Sequence, residues 1–223
     1  MCGFAGYAGE REYDTSVIRK MTDKIRHRGP DSQDAFVEGK VGLGFVRLSI
    51  IDLEGGSQPM FNEDKNLVLI FNGELYNFQD IRKELVEAGH VFTTHTDSEI
   101  LLHGYEEWGK EGLLGRLRGM FAFVIFDRTK KTLFGARDHF GIKPFYYYHK
   151  DGTFLFGSEI KSFLAHPDFQ KELFEEKLPD FMTFGCIPGA ETFFRNCVQA
   201  SAGTLLHIRG GKADSKHLLG ADL

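Results

Sequence analysis

The stretch Leu67-Val68-Leu69-Ile70-Phe71-Asn72-Gly73-Glu74-Leu75-Tyr76-Asn77 opens with five apolar residues in a row and then turns polar. A short, continuous apolar run bounded by turn-forming residues marks a strand buried on at least one face. Directly after it, Phe78, Ile81, Leu85 and Val86 share one side of a helix, opened by Asn77 and closed by Gly89. Asn is a good capping side chain, and Gly accepts the left-handed turn at a helix end. A bare Asn-Gly pair is most often a hairpin turn. Here it ends an apolar strand and runs into Glu74, which suits a polar site at a strand mouth, and Gly73 leaves its N–H approachable because no Cβ stands in the way.

Further strand-like runs lie on either side, at Phe4–Tyr7, Gly42–Asp52, Met120–Asp127, Thr132–Arg137, Phe145–His149 and Phe154–Phe156. Val17, Ile18, Met21 and Ile25 share a helical face behind the capping sequence Asp14-Thr15-Ser16. Ile100, Leu101, Tyr105 and Trp108 share another, opened by Asp97, and a short helix is expected around Ser158–Ala165. Many strands with segregated helices predict an α+β layered fold. Beyond Pro167 the pattern is less regular, and Gly210–Ser215 reads as a turn leading to a frayed tail.

Composition narrows the function classes. With 42% hydrophobic and 26% charged residues over 223 positions, the chain has the make-up of an ordinary soluble domain with a real core. Twenty-two Phe beside one Trp, gathered in short runs, suit strand cores better than an exposed stacking platform. A net charge of −5 argues against a phosphate-binding surface, so no nucleic-acid partner is expected. No apolar stretch approaches the roughly 20 residues of a membrane span. Met1-Cys2-Gly3-Phe4-Ala5 lacks the basic and apolar regions of a signal peptide. Three cysteines without paired spacing make no disulfide framework, so the cytoplasm is the default compartment.

Cys2 stands out by position. Once Met1 is removed, the residue carries a thiol and a free α-amine together. An α-amine titrates near ~8 and so serves as a base at neutral pH. Nucleophile and base are then tethered to one Cα. A cysteine at position 2 is by itself usually an accident; its company decides. In order along the chain stand Cys2-Gly3-Phe4-Ala5-Gly6, His27-Arg28-Gly29-Pro30-Asp31-Ser32, Arg47-Leu48-Ser49-Ile50-Ile51-Asp52, Asn72-Gly73-Glu74-Leu75-Tyr76-Asn77 and Thr96-Asp97-Ser98-Glu99. Then come Gly119-Met120-Phe121-Ala122-Phe123, Ala136-Arg137-Asp138 with Gly141-Ile142-Lys143-Pro144, and Gly157-Ser158-Glu159-Ile160-Lys161. Together these resemble the class II glutamine amidotransferase domain of glutamine-hydrolysing asparagine synthetases, strongly over residues 2–165 and weakly beyond.

The resemblance implies a four-layer αββα sandwich of the N-terminal-nucleophile hydrolase type, and a Cys2 thiolate that releases ammonia from glutamine. Under it, Asn72 and Gly73 hold the oxyanion that forms on the amide carbonyl. Arg47 forks onto the substrate α-carboxylate, with Leu48, Ser49, Ile50 and Ile51 beside it, and Glu74 and Asp97 receive the α-ammonium. Each has a plainer reading: a structural ion pair for Arg47, a solvated loop carboxylate for Glu74, a helix cap for Asp97. Arg28 and Gly29 are supporting residues that frame the nucleophile. No metal or organic cofactor is implied for this half-reaction. ATP and magnesium belong to a synthetase domain whose Ser-Gly-Gly-x-Asp-Ser loop occurs nowhere in the 223 residues. Residues 2–165 are thus expected as the glutaminase core and 166–223 as a C-terminal extension of the same domain, leading toward that absent ammonia acceptor. L-Glutamine is the expected ligand, and a homodimer is allowed for. In the tail, Ala200-Ser201-Ala202-Gly203-Thr204 lacks the proline expected before the glycine.

Two other readings stay open: a Cys2 amidase acting on a different amide, and a regulatory module that binds glutamine without turning it over. Weaker motifs are set aside. Gly104–Lys110 has the spacing of a phosphate loop but Glu111 where a hydroxyl must follow. Gly42-Leu43-Gly44 lacks a third glycine, and His90 and His95, flanking an expected strand, have no ligand set that demands zinc.

Overall fold

The computed structural model describes residues 2–48 and 56–217. The apolar run that begins at Leu67 is one strand in a stack of two antiparallel six-stranded sheets. The first sheet contains β1 (Gly3–Ala8), β2 (Ser32–Glu38), β3 (Val41–Arg47), β8 (Tyr146–Lys150), β9 (Thr153–Gly157) and β10 (Cys197–Gln199), in the spatial order β10-β8-β9-β1-β3-β2. The second contains β4 (Met60–Phe61), β5 (Leu67–Leu75), β6 (Gly119–Asp127), β7 (Thr132–Arg137), β11 (Thr204–Arg209) and β12 (Lys212–His217), in the order β12-β11-β7-β6-β5-β4. The helices are α1 (Thr15–Asp23), α2 (Phe78–Glu87), α3 (Glu99–Leu114) and α4 (Leu178–Phe184).

Three apolar layers explain why β5 reads as a continuous apolar run. Val68 and Ile70 face inward and meet Phe4, Leu43 and Phe45 of the opposite sheet. Leu69 and Phe71 face outward and pack under Leu85 of α2 and Ile100, Leu101 and Tyr105 of α3. A strand covered on both faces has no polar side to show. The first sheet is covered in turn by Ile18 and Met21 of α1, with Phe163 from the 3₁₀ turn Ile160–Ala165, over Ala5, Tyr7, Val46 and Leu155. This is the αββα order of the expected sandwich.

Several local expectations are corrected. Asn72-Gly73 neither turns nor ends β5; the strand runs through it to Leu75, with Asn72 opposite Ala122 and Gly73 opposite Phe121. Helix α3 starts at Glu99, and Asp97 is not its cap; the carboxylate instead accepts the Leu75 N–H at 2.9 Å. Asn77 precedes α2, but its side chain is spent on the Arg116 carbonyl and the Arg118 N–H. Residues 91–94 form no strand. Strand β3 spans Val41–Arg47, and positions 49–52 of the expected run lie outside the described residues.

The tail is ordered as the hairpin β11–β12, turned by Gly210 and Gly211 at positive φ. In its first strand, the interior β11, His207 interrupts the apolar run Leu205–Ile208. Its second strand escaped notice because β12 is an edge strand of largely polar residues, and an edge needs little apolar patterning. Strand β2, at the far edge of the first sheet, was missed for the same reason. Among the described residues no helix is long and apolar enough to cross a membrane.

Candidate active site

Cys2 leads into β1, a central strand flanked by β3 and β9. Its carbonyl accepts the Arg28 Nε–H at 3.0 Å, and Arg28 is braced by Glu159 at 3.0 Å. Glu159 also meets His27 Nε2 at 2.9 Å and Lys161 Nζ at 3.1 Å. Burial alone would raise the Glu159 pKa, but the hydrogen bonds from Arg28, Lys161 and His27 outweigh it and leave the carboxyl below its usual range. One residue along, Ser158 and Phe4 exchange hydrogen bonds at 3.1 and 2.9 Å. The motif Gly157–Lys161 therefore has a job that its sequence did not disclose: it fastens the start of β1. Gly29 is compulsory for a related reason, since a Cβ there would lie 2.3 Å from the Val46 carbonyl carbon.

The Cys2 sulfur sits 3.3 Å from the Leu48 N–H and 3.4 Å from its carbonyl. It opens on a cavity of about 110 Å³ walled by Arg47, Leu48, Gly56, Gln58, Gly73, Glu74, Thr96, Asp97 and Ser98, with Phe45 and Phe71 as the apolar part. That is well below the ~300 Å³ at which drug-sized pockets begin, and fits a ligand of amino-acid size. Arg47 is buried to 8% exposure at the end of β3. Ser49, Ile50 and Ile51 lie outside the described residues. Gly73 admits no side chain, because a Cβ would meet the Met120 carbonyl at 2.4 Å. Asn72 is not on the cavity wall; it is 2% exposed and its Nδ2 has no hydrogen-bond partner among the described residues. A buried amide donor left unpaired costs ~1–3 kcal/mol, so its persistence is informative.

Two charged groups are held out of their ordinary range. Burial pushes the Asp97 carboxyl up to about 6 against the opposing Leu75 N–H, and the Glu74 charge adds to the rise. Lys143 is lowered, first by burial and then by the Arg28 cation, while Glu74, Cys2 and Asp138 pull the other way. Lys143 thus shares the electrostatic neighbourhood of Cys2, although its motif was read only as a family mark.

That motif is a folded loop. Asp138, wholly buried, accepts N–H groups of Phe121, Phe140, Ile142 and Lys143 at 2.9–3.2 Å. Arg137 donates to the carbonyls of Lys143, Gly141 and Ala200. Sequence reasoning also missed Thr96 and Ser98 as wall residues, and Gln58 joins them there. Gln58 is tied to the site by accepting the Phe71 N–H at 2.6 Å and by donating to Ser98 at 3.4 Å.

A sandwich of this order, with a thiol at the mouth of a central strand and a small charged cavity beside it, defines an N-terminal-nucleophile hydrolase architecture. The solved structures with this architecture include a glutamine phosphoribosylpyrophosphate amidotransferase from B. subtilis, matched over 98% of this chain and 49% of that one with a TM-score of 0.69 at 21% identity. At that identity the likeness is one of fold. The family is settled by sequence: residues 1–218 match the glutamine amidotransferase domain, and the chain belongs to that family. Among its relatives, a glutamine-hydrolysing asparagine synthetase of Bacillus subtilis (number 3) is 42% identical over 190 residues, covering 83% of this chain and 31% of the relative. Another from the same organism (number 1) is 41% identical over 215 residues, covering 94% and 34%. The chain spans about a third of the length of these relatives.

Proposed function

We propose that this chain hydrolyses glutamine through a glutamyl thioester on Cys2, as the glutaminase part of an asparagine-synthetase-like enzyme. The observation that carries the reading is the convergence of the Cys2 thiol, Arg47, Gly73, Glu74 and Asp97 on one small cavity. Glutamine has three polar ends, and that wall offers a counterpart for each. Arg47 takes the α-carboxylate by a forked, charge-assisted pair. Asp97, with Glu74 beyond it, takes the α-ammonium. The side-chain amide is left at Cys2.

In the reaction the Cys2 α-amine, freed by loss of Met1, removes the thiol proton through a water. Sulfur attacks the amide carbon, and the carbonyl oxygen becomes an oxyanion that the Asn72 Nδ2–H and the Gly73 N–H stabilise. One such donor is typically worth ~3 kcal/mol of barrier. The C–N bond breaks, the amine's proton goes to the leaving nitrogen, and ammonia departs. Water then adds to the thioester, releasing glutamate and restoring the thiol. A tethered thiol and amine complete this chemistry without a metal or organic cofactor; ATP and magnesium would serve only an ammonia-accepting synthetase domain. The remaining two-thirds of the relatives' length is the natural place for that acceptor.

Intact-mass measurement combined with a glutamate-release assay tests this. Loss of Met1 and glutamate release that disappears in Cys2→Ala is the expected result. A processed N-terminus that binds glutamine without releasing ammonia would reject catalysis by this chain and leave a binding module.

A further inference from the structure

The α-ammonium end of the cavity hangs on a short loop, and the loop is built around one carboxylate. Glu99, the first residue of α3 and 5% exposed, accepts the Thr93 N–H at 2.8 Å and hydroxyl at 2.9 Å, and the Thr94 N–H at 2.8 Å and hydroxyl at 2.6 Å. A helical turn further on, the buried imidazole of His103 places Nε2 3.6 Å from Glu99. Its Nδ1 lies 3.4 Å from Glu106 and 3.8 Å from Glu63. These are ion-pair contacts rather than aligned hydrogen bonds. Burial opposes a charged ring here, but Glu106 and Glu99 outweigh it and carry His103 up to about 9. Glu99 is likewise drawn down, against its burial, to about 2. Both partners are therefore charged at neutral pH.

His90, His103 and Glu106 bring donor atoms within 4.8 Å of one another. Both His103 nitrogens already face carboxylates, and Glu106 also accepts the Asn62 amide at 2.7 Å. The cluster therefore reads as an ion network. Its reach extends to the cavity. Because Thr94 gives its hydroxyl proton to Glu99, its contact with the Thr96 hydroxyl at 2.9 Å has one polarity: Thr96 donates and Thr94 accepts. Thr96 and Asp97, both on the cavity wall, are the next residues of the same loop.

We infer that the Glu99–His103 ion pair is a positioning device for the α-ammonium of glutamine, presetting Thr96 and Asp97 without touching the substrate. It rests on the glutamine reading above. Commitment of the Thr96 proton to Thr94 turns that wall residue into an acceptor, the polarity an ammonium needs.

The test is glutamine binding to a Cys2→Ala form, measured by calorimetry against glutaramate, which is glutamine without its α-amine. Asp97→Asn should cut the preference for glutamine by about 10- to 100-fold, as a lost charge-assisted contact does. Glu99→Gln and His103→Gln should each lower the same preference by several-fold or more while leaving glutaramate affinity within about twofold. Combined with Asp97→Asn, each should add little, because the two act on one contact. A merely structural role would weaken both ligands alike. Thr94→Val, which cuts the hydroxyl link and keeps the ion pair, carries the test should a charge variant fail to fold. Unchanged preference in the Glu99, His103 and Thr94 variants beside a lost preference in Asp97→Asn would overturn this inference and leave the glutamine reading standing. No loss in Asp97→Asn, or no glutamine binding at all, would overturn both.

Discussion

Asp97 is the residue whose replacement separates function from stability most sharply. Its carboxyl is 8% exposed and held up to about 6 against an ordinary 3.8, chiefly by burial. That rise means that the ionised form is penalised by roughly 3 kcal/mol. Asp97→Asn keeps an oxygen for the Leu75 N–H and removes the charge. At pH 8 the variant should therefore be more stable by about 1–3 kcal/mol, or ~2–10 °C in Tm for a chain of this size. The sign follows from linkage. Between the unfolded value of 3.8 and the folded value of about 6, the folded protein holds the proton more tightly than the unfolded chain, so stability falls as pH rises through that window. The gain from Asn should be complete above about pH 6 and fade toward pH 4.

On the proposed reading glutamine should change the balance, because its ammonium would supply the missing counter-charge. Wild-type protein should bind glutamine with an affinity that declines as pH falls through about 6, whereas the Asn variant should bind weakly at every pH. Thermal melts from pH 4 to 8 with and without glutamine, on a Cys2→Ala background, measure both effects. A variant destabilised by the same amount at every pH would refute the reasoning, for then Asp97 serves the fold and its burial is not a strain kept for a ligand.

The other substitutions test single parts of the site. Asn72→Ala should lower kcat for glutamine by about 10²–10³ with KM little changed, because under the proposed mechanism its orphan amide would be engaged only when an oxyanion forms; a pure KM effect in steady-state kinetics would speak against it. Gly29→Ala should destabilise by ~2–4 kcal/mol in denaturant melts, since the new methyl would collide with backbone of β3; a neutral result would mean that β3 can yield at this point.

The sandwich was legible because both faces of its central strands are covered. Continuous apolar runs such as Leu67–Phe71 and Phe121–Phe126 cannot be surface. The pattern thinned where one face or one edge is open, and there β2 and β12 were lost. Site residues showed a similar split. Cys2, Arg47, Gly73, Glu74 and Asp97 were readable through the family resemblance of the motifs that hold them, since each alone has a plainer reading, and all five line the cavity. Glu159, Asp138 and Lys143 appeared in recognisable motifs, but their roles depend on partners 131 residues away for Glu159 and on a loop folded back on itself for Asp138. No local spacing encodes such contacts.

The expectation that residues 166–223 extend the same domain as the core can be tested physically at β11. Leu205, Leu206 and Ile208 are buried to 6% exposure or less and divide between the two cores that flank the second sheet. Burying three aliphatic side chains contributes on the order of 5–9 kcal/mol, as much as the whole stability of many domains, ~5–15 kcal/mol. Strand β11 also pairs along β7 from Leu133 to Ala136. Further along, the Ala200 carbonyl and the Gly203 N–H close the hydrogen bonds of Arg137 and Asp138. A chain ending at Ala165 would expose the edge of β7 and loosen the loop that presents Lys143. It should be aggregation-prone or molten, with weak near-ultraviolet circular dichroism and no cooperative melt. A chain ending at His217 should melt cooperatively. If the shorter chain instead melts cooperatively and binds glutamine, β10–β12 are an appendage and the stability of this sandwich lies wholly in its first 165 residues.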